Sequence, residues 1–193
     1  QEIQKIKNKA KKLHVQKHFI IDGKTILYNK IVTYIIKGNV LRGDVYPLCA
    51  GPERIVQAIE VIGVAKKIDA DAVAHGSTGA GNDQVRFDVA IQTLAPELEI
   101  ITPIRDLGIS REEEIVFLKK HGVSVEQTSK NYSVNKGMLG VTIGGRETKG
   151  SWELPPDHVY PTVVAIENAP KNGQEIIVSF KQGLPIAVDG KTM

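Results

Sequence analysis

Cysteine is nearly absent: Cys49 is the single thiol in 193 residues. One thiol cannot close an internal disulfide or build a thiolate metal cluster, so reducing, cytoplasmic surroundings are expected. Aromatic residues are scarce, at 5%, and none is interleaved with basic residues in the way nucleic-acid surfaces require. No apolar run approaches the length of a bilayer span, and the start of the chain has no apolar core like that of a signal peptide. Neither membrane insertion nor export is expected. Internal repeats and low-complexity tracts are missing too, and His14, His18, His121 and His158 do not form a metal-ligand spacing. The first residue is Gln1 and not methionine, which reads as a partial chain.

What is present is the composition of a soluble globular protein, 41% hydrophobic and 24% charged, long enough for one ordinary domain plus the beginning of a second. The net charge of +3 hides an asymmetry: residues 1 to 37 carry nine lysines against Glu2 and Asp22, a local +7 that leaves −4 for the rest. The lysines spread round an amphipathic helix, so a solvated face explains them better than a nucleic-acid partner.

Periodicity predicts a helix over 2 to 13 with Ile3, Ile6, Ala10 and Leu13 on one side, a strand from Val15 to Ile21, and a second helix over about 25 to 37. A loop from Asn39 to Pro47 precedes a helix from Glu53 to Lys67, whose buried stripe is read as Ile55, Ala58, Ile59 and Ile62, widened by Val56 and Val61. Ala72 to Ala74 reads as a buried strand running into the loop His75 to Asn82. A helix from Asn82 or Asp83 follows and is expected to bury Val85, Val89 and Leu94. Glu99 to Ile101 is the next strand. Ser110 with Glu113 makes a capping box for a helix over about 111 to 120, which Gly122 ends. Glu175 to Phe180 and Leu184 to Val188 read as a hairpin with a further turn at Asp189-Gly190, lacking its normal covering. The pattern is alternating α/β up to about 125 and α+β or mainly β beyond it. The domains are therefore read as 1–125 and 126–193, with crossovers placing the basic first helix on one face of the sheet.

Gly76, Gly79 and Gly81 punctuate the strand-to-helix loop beside Ser77, Thr78, Asn82, Asp83 and Gln84. Glycines let a ligand approach the backbone or permit positive φ, and the amides of the following helix start favour an anion. Read from the residues alone, the loop is either such a ligand site or a plain tight connection capped by Asn82. Its spacing is neither that of a phosphate loop nor that of a dinucleotide fingerprint.

The stretch His-Gly-Ser-Thr-Gly-Ala-Gly-Asn-Asp-Gln-Val-Arg-Phe-Asp, residues 75 to 88, resembles the signature of argininosuccinate synthases over its full length. The similarity extends to Tyr46-Pro47, Glu53-Arg54, Leu94-Ala-Pro-Glu97, Ile101 to Arg105, Lys120-His-Gly122, Tyr132-Ser133, Ile143-Gly-Gly145 and the closing Phe180-Lys-x-Gly-x-Pro-x-x-Val-x-Gly190. The resemblance implies a parallel-sheet nucleotide-binding domain of the ATP pyrophosphatase, or adenine nucleotide alpha hydrolase, type, followed by the start of an α+β synthetase domain. It implies the ATP-dependent condensation of citrulline with aspartate to argininosuccinate, AMP and pyrophosphate: the ureido oxygen attacks the α-phosphorus and the aspartate amine then displaces AMP. On the same ground Thr78, Asn82 and Asp83 would hold aspartate, with Asn82 also near the citrulline carboxylate. Arg86, Tyr46, Ser133 and Thr142 would contact citrulline, and Gly76 would offer its backbone to ATP. Mg2+ would be carried by the ATP phosphates, and the family is usually a homotetramer.

Taken one by one, Arg86 offers a planar donor set suited to a carboxylate, or else a surface pair with Asp83 or Glu53. Asp83 can accept from an ammonium group, or merely improve a helix start. His75 is read as structural or nucleotide-facing.

Departures from the family pattern shape two further expectations. The loop Ser-Gly-Gly-Leu-Asp-Thr-Ser that cradles pyrophosphate in the family does not occur in these residues, and most of the family's C-terminal region, with its oligomerisation helix, is missing too, so a truncated chain, inactive by itself, is expected. Where the common pattern reads Gly-Thr-x-x-Ala-Arg-Pro, this chain has Cys49-Ala-Gly-Pro-Glu-Arg54-Ile. Asn135 and Gly137 stand where aspartate and asparagine are usual. These substitutions keep open an alternative, a non-catalytic amino-acid-binding or regulatory relative with a decayed citrulline pocket. A third reading is a related enzyme with another acceptor.

Overall fold

A computed structural model describes residues 2–47, 50–79, 81–123 and 132–192. Cys49 and Ala80, singled out above, lie outside them.

The first helix, α1 (Glu2–Lys12), forms as its spacing predicts but buries nothing. Ile3, Ile6 and Leu13 are all exposed, so the expected packing on a sheet face is corrected: the apolar side is too narrow among so many lysines to define a core-facing stripe. Val15 to Ile21 forms no ladder. Its β-branched and aromatic residues favour a strand only where a neighbour completes the hydrogen bonds, and instead Phe19 and Ile21 line an open apolar groove along the next long helix and first parallel strand.

The second predicted helix exists as α2 (Gly23–Leu27) and α3 (Thr33–Lys37), joined by a π-helical turn over Tyr28–Val32. Asp22 starts it, accepting from the Lys24 amide at 3.0 Å and the Thr25 hydroxyl at 2.9 Å. The expected loop after it contains a short antiparallel pair, β1 (Leu41–Arg42) with β2 (Tyr46–Pro47).

The long helix α4 (Ala50–Lys67) leads to β3 (Ala72–Ala74), then α5 (Asp83–Leu94) and β4 (Glu99–Ile101). Strands β3 and β4 pair in parallel, Ala72 opposite Glu99 and Ala74 opposite Ile101. Ile62 and Ala65 of α4, Ile91 of α5, Val73, Ala95 and Leu98 close the main core, with Phe87 and Ile100 against it. A smaller cluster gathers Leu27, Val32 and Val56, with Leu139 packed on it.

On α5 the expected buried stripe was the wrong one: Val85, Val89 and Leu94 are exposed, while Gln84, Ala90 and Ile91 are buried. Ile59 and Val61 of α4 are likewise exposed. Both helices carry two apolar stripes, and the one that pairs α4 with α5 over the sheet wins.

Helix α6 (Pro103–Leu107) ends at left-handed Gly108, and α7 (Arg111–Lys120) carries the expected capping box of Ser110 and Glu113. Gly122 follows with φ 74°, ending it as predicted.

The C-terminal part opens on an antiparallel hairpin, β5 (Tyr132–Lys136) with β6 (Val141–Gly145), which the glycine-rich composition had concealed. Irregular chain then leads to a meander of β7 (Val178–Lys181), β8 (Leu184–Val188) and β9 (Lys191–Thr192). Asp189 and Gly190 both have positive φ at its last turn, the conformation that joins twisted antiparallel strands in two residues. Ile177, just before β7, and Phe180 on it are exposed. No helix among the described residues is long and apolar enough to cross a membrane.

Candidate functional site

The site begins where β3 and β4 end. His75 extends the parallel ladder by one bond, its amide donating to the Ile101 carbonyl at 3.0 Å. The chain then leaves the sheet and turns into α5, the position where open α/β sheets bind ligands. Gly81 takes φ 109° in this turn, a conformation L side chains rarely adopt. At Gly76 and Gly79, by contrast, no atom of the described residues beyond the adjoining ones lies within 4 Å of where a Cβ would sit.

Gln84 holds the turn. Its side chain is buried, and its Nε2 donates to the Gly81 carbonyl at 2.6 Å and the Gly79 carbonyl at 3.2 Å. Asn82 occupies the N-cap position of α5 but makes no capping bond with its side chain. The expectation of Asn82 as cap is thus corrected: Gln84 fixes the turn from inside the helix, leaving the Asn82 amide group at the cavity.

Beneath the loop lies a chain of charges. The Asp88 carboxylate meets His75 Nε2 at 2.9 Å and accepts from Arg105 Nη1 at 2.6 Å. The Ser77 amide donates to His75 Nδ1 at 3.4 Å. Burial alone would raise the Asp88 pKa, but the hydrogen bonds and charge of Arg105 and His75 outweigh it and hold the carboxyl below its ordinary value. His75 thus braces the loop backbone from below and also lines the cavity.

A second chain links α4 to α5. Arg54 Nε donates to Asp83 Oδ2 at 3.0 Å, and Arg86 Nη1 donates to Asp83 Oδ1 at 2.8 Å. Burial opposes ionisation of Asp83, yet the two guanidinium groups, Arg54 first, lower its pKa. Arg54 also reaches Asn135 Oδ1 on β5 at 3.5 Å, the limit of a hydrogen bond. The Arg86–Asp83 pair was foreseen as one of two options; Arg54 as third member was not.

These elements enclose a cavity of about 650 Å³. All eight residues nominated from the sequence line it: Gly76, Thr78, Asn82, Asp83 and Arg86 from the loop and α5, Tyr46 from β2, Ser133 and Thr142 from the β5–β6 hairpin. Asn135 and Gln84, noted in the sequence without a ligand role, also line it, and Arg42 joins them unforeseen. Arg42 is a lone basic residue at the end of β1, with no sequence signal to mark it. Two arginines, Arg42 and Arg86, face one aspartate, Asp83, in the lining, an excess of positive charge that suits carboxylate and phosphate groups.

The fold and site thus define a nucleotide-binding α/β domain of the HUP type, followed by a distinct α+β domain that completes its pocket. Two family models match: the arginosuccinate synthase N-terminal HUP domain over residues 1–124, and the arginosuccinate synthase C-terminal domain over residues 132–193. The chain belongs to the argininosuccinate synthase family. It is 38% identical to the argininosuccinate synthase of Methanocaldococcus jannaschii over 194 aligned positions, covering 100% of this chain and 48% of the relative. It is 39% identical to that of Pyrobaculum aerophilum, covering 98% of this chain and 48% of the relative. It is 43% identical to that of Prochlorococcus marinus over 80% of this chain and 39% of the relative.

These findings correct two expectations. A truncated chain, inactive by itself, was expected from Gln1, the missing loop motif and the missing C-terminal region, yet models of both family domains match and together take in all but residues 125–131. The chain spans about half the length of the curated relatives it matches.

Proposed function

We propose that this chain serves argininosuccinate synthase activity: citrulline is adenylated by ATP through its ureido oxygen, and the aspartate amine then displaces AMP. The observation that carries this reading is the single cavity in which Thr78, Asn82, Asp83 and Arg86 of one domain face Ser133 and Thr142 of the other. Thr78, Asn82 and Asp83 hold aspartate, with Asn82 also near the citrulline carboxylate. Arg86, Tyr46, Ser133 and Thr142 contact citrulline, and the open backbone at Gly76 receives the nucleotide. Magnesium enters as counter-ion of the ATP phosphates. The division at residues 1–125 and 126–193, a cytoplasmic setting and a homotetrameric assembly complete the proposal.

The pairing of Asp83 gives these roles a physical order. Each of its oxygens accepts one guanidinium bond and keeps a further lone pair, so Asp83 can fix Arg86 and still accept from the aspartate ammonium. One Arg86 nitrogen is spent on Asp83, and the fork has other donors for a carboxylate.

The test supplies ATP, citrulline and aspartate and follows AMP, pyrophosphate and argininosuccinate together. Citrulline-dependent AMP formation is expected, and Arg86→Ala should lose citrulline affinity by calorimetry. Folded protein that forms no AMP with citrulline, or an Arg86→Ala variant of unchanged affinity, would refute it.

A further inference from the structure

The β5–β6 hairpin brings Ser133, Asn135 and Thr142 to the cavity, so something must hold it against the first domain. Two contacts at its turn do so. Leu139 packs on the cluster of Leu27, Val32 and Val56. The other is polar: the Met138 amide donates to Glu53 Oε1 at 2.6 Å, across 85 residues of sequence.

Gly137 shows how tightly that carboxylate is seated. A Cβ at this position would lie 2.8 Å from Glu53 Cδ, and closer still to Oε1. Gly137 is not among the glycines with positive φ, and its amide bonds the Gly140 carbonyl at 2.8 Å. The backbone therefore does not demand glycine; the carboxylate of Glu53 does. A Glu53 side chain is free to swing, so an added methyl would not break the fold but would push the carboxylate off the Met138 amide. Here a long acidic side chain at 53 and a bare position at 137 share one volume, which matches the two substitutions from the family pattern noted above.

We propose that Glu53 and Gly137 form a latch between the two domains, with Glu53 a positioning residue that sets the β5–β6 hairpin at the height the citrulline contacts require. The latch itself rests on the geometry alone; its consequence for citrulline rests on the proposed function. Ser133 and Thr142 reach the cavity from this hairpin, whereas Thr78, Asn82 and Asp83 come from the first domain. Loosening the latch therefore weakens citrulline and spares aspartate.

The experiment uses the full protein and three variants, Glu53→Ala, Gly137→Ala and the double variant. Hydrogen exchange at the Met138 amide, without ligands, should quicken about ten-fold in either single variant, the loss of one charge-assisted bond. In the double variant it should quicken no further, because both substitutions remove the same contact. Glu53→Gln, which keeps an acceptor, should recover part of the protection. In turnover, the KM for citrulline should rise about five- to ten-fold in each single variant, with kcat and the KM for aspartate unchanged. Additive effects on exchange, or unchanged exchange in Gly137→Ala, would overturn the latch. Exchange as expected with an unmoved citrulline KM would overturn the positioning role. Absence of any turnover in the unsubstituted protein would count against the proposed function and leave the exchange result to decide the latch.

Discussion

Replacing Asp83 by asparagine removes one charge from the centre of the Arg54–Asp83–Arg86 chain while keeping the side chain's shape. The two bonds, at 3.0 and 2.8 Å, each join a full cation to a full anion. Such bonds contribute about 1.5–3 kcal/mol apiece when desolvated, but side-chain exposures of 20% at Arg54, 29% at Arg86 and 35% at Asp83 bring them toward the surface range of about 0–1 kcal/mol. A combined loss of about 1–2 kcal/mol at neutral pH is expected, measured as the shift in urea midpoint at constant slope. The pH dependence supplies the sharper check. The pKa of Asp83 is lowered in the folded state, so its contribution is complete above the unfolded value of about 3.9 and is lost as pH falls through the folded value. The stability gap between the two proteins should therefore be flat from about pH 5 to 8 and close as pH falls below about 4. A gap as wide at pH 3 as at pH 7 would show that packing, not charge, joins α4 to α5.

Two further outcomes test the scaffold. Ile91, 2% exposed at the centre of the main core, should cost roughly 2–5 kcal/mol when cut to alanine, and a loss under about 1 kcal/mol by urea unfolding would mean that the α4–α5 interface repacks freely. Asp88→Asn should speed amide exchange at Ser77, because the carboxylate orients the imidazole that accepts from that amide; unaltered protection would remove His75 from its role as a strut.

What the sequence disclosed depended on the range of the cause. The capping box at Ser110 and Glu113, the stop at Gly122 and the turn at Asp189-Gly190 are decided within a few residues, and all are present as read. Strand β3, its loop and α5 were legible because apolar run, glycines and helix start follow one another directly. The strand expected at Val15 to Ile21 failed because pairing is not local. The buried face of α5 failed for a related reason. Val85 and Val89 make as good a stripe as Phe87, Ala90 and Ile91, and only α4 on the opposite side chooses between them. The same distance hid Arg54 from Asp83, 29 residues away, and Arg105 from Asp88, 17 residues away. All eight candidate site residues nonetheless meet at one cavity, which composition and periodicity would not have gathered: Tyr46, Ser133 and Thr142 have no local pattern that distinguishes them, and only the family resemblance selected them.

That gathering makes the division of labour in the cavity a matter of domain contact. Thr78, Asn82, Asp83 and Arg86 sit on a loop and helix braced by Gln84, His75 and Arg54, so their geometry is set within the first domain. Ser133 and Thr142 depend on the docking of one hairpin, through Glu53, Leu139 and the long bond from Arg54 to Asn135. A ligand held by the loop alone would bind whether or not the hairpin is seated. A ligand that touches both sides must also stabilise the seated hairpin, and its apparent affinity falls by the fraction of molecules in which the hairpin is away. On the proposed assignments aspartate is the first kind of ligand and citrulline the second. Citrulline binding should therefore draw the two domains together, protecting the Met138 amide from exchange, while aspartate alone leaves that amide unchanged.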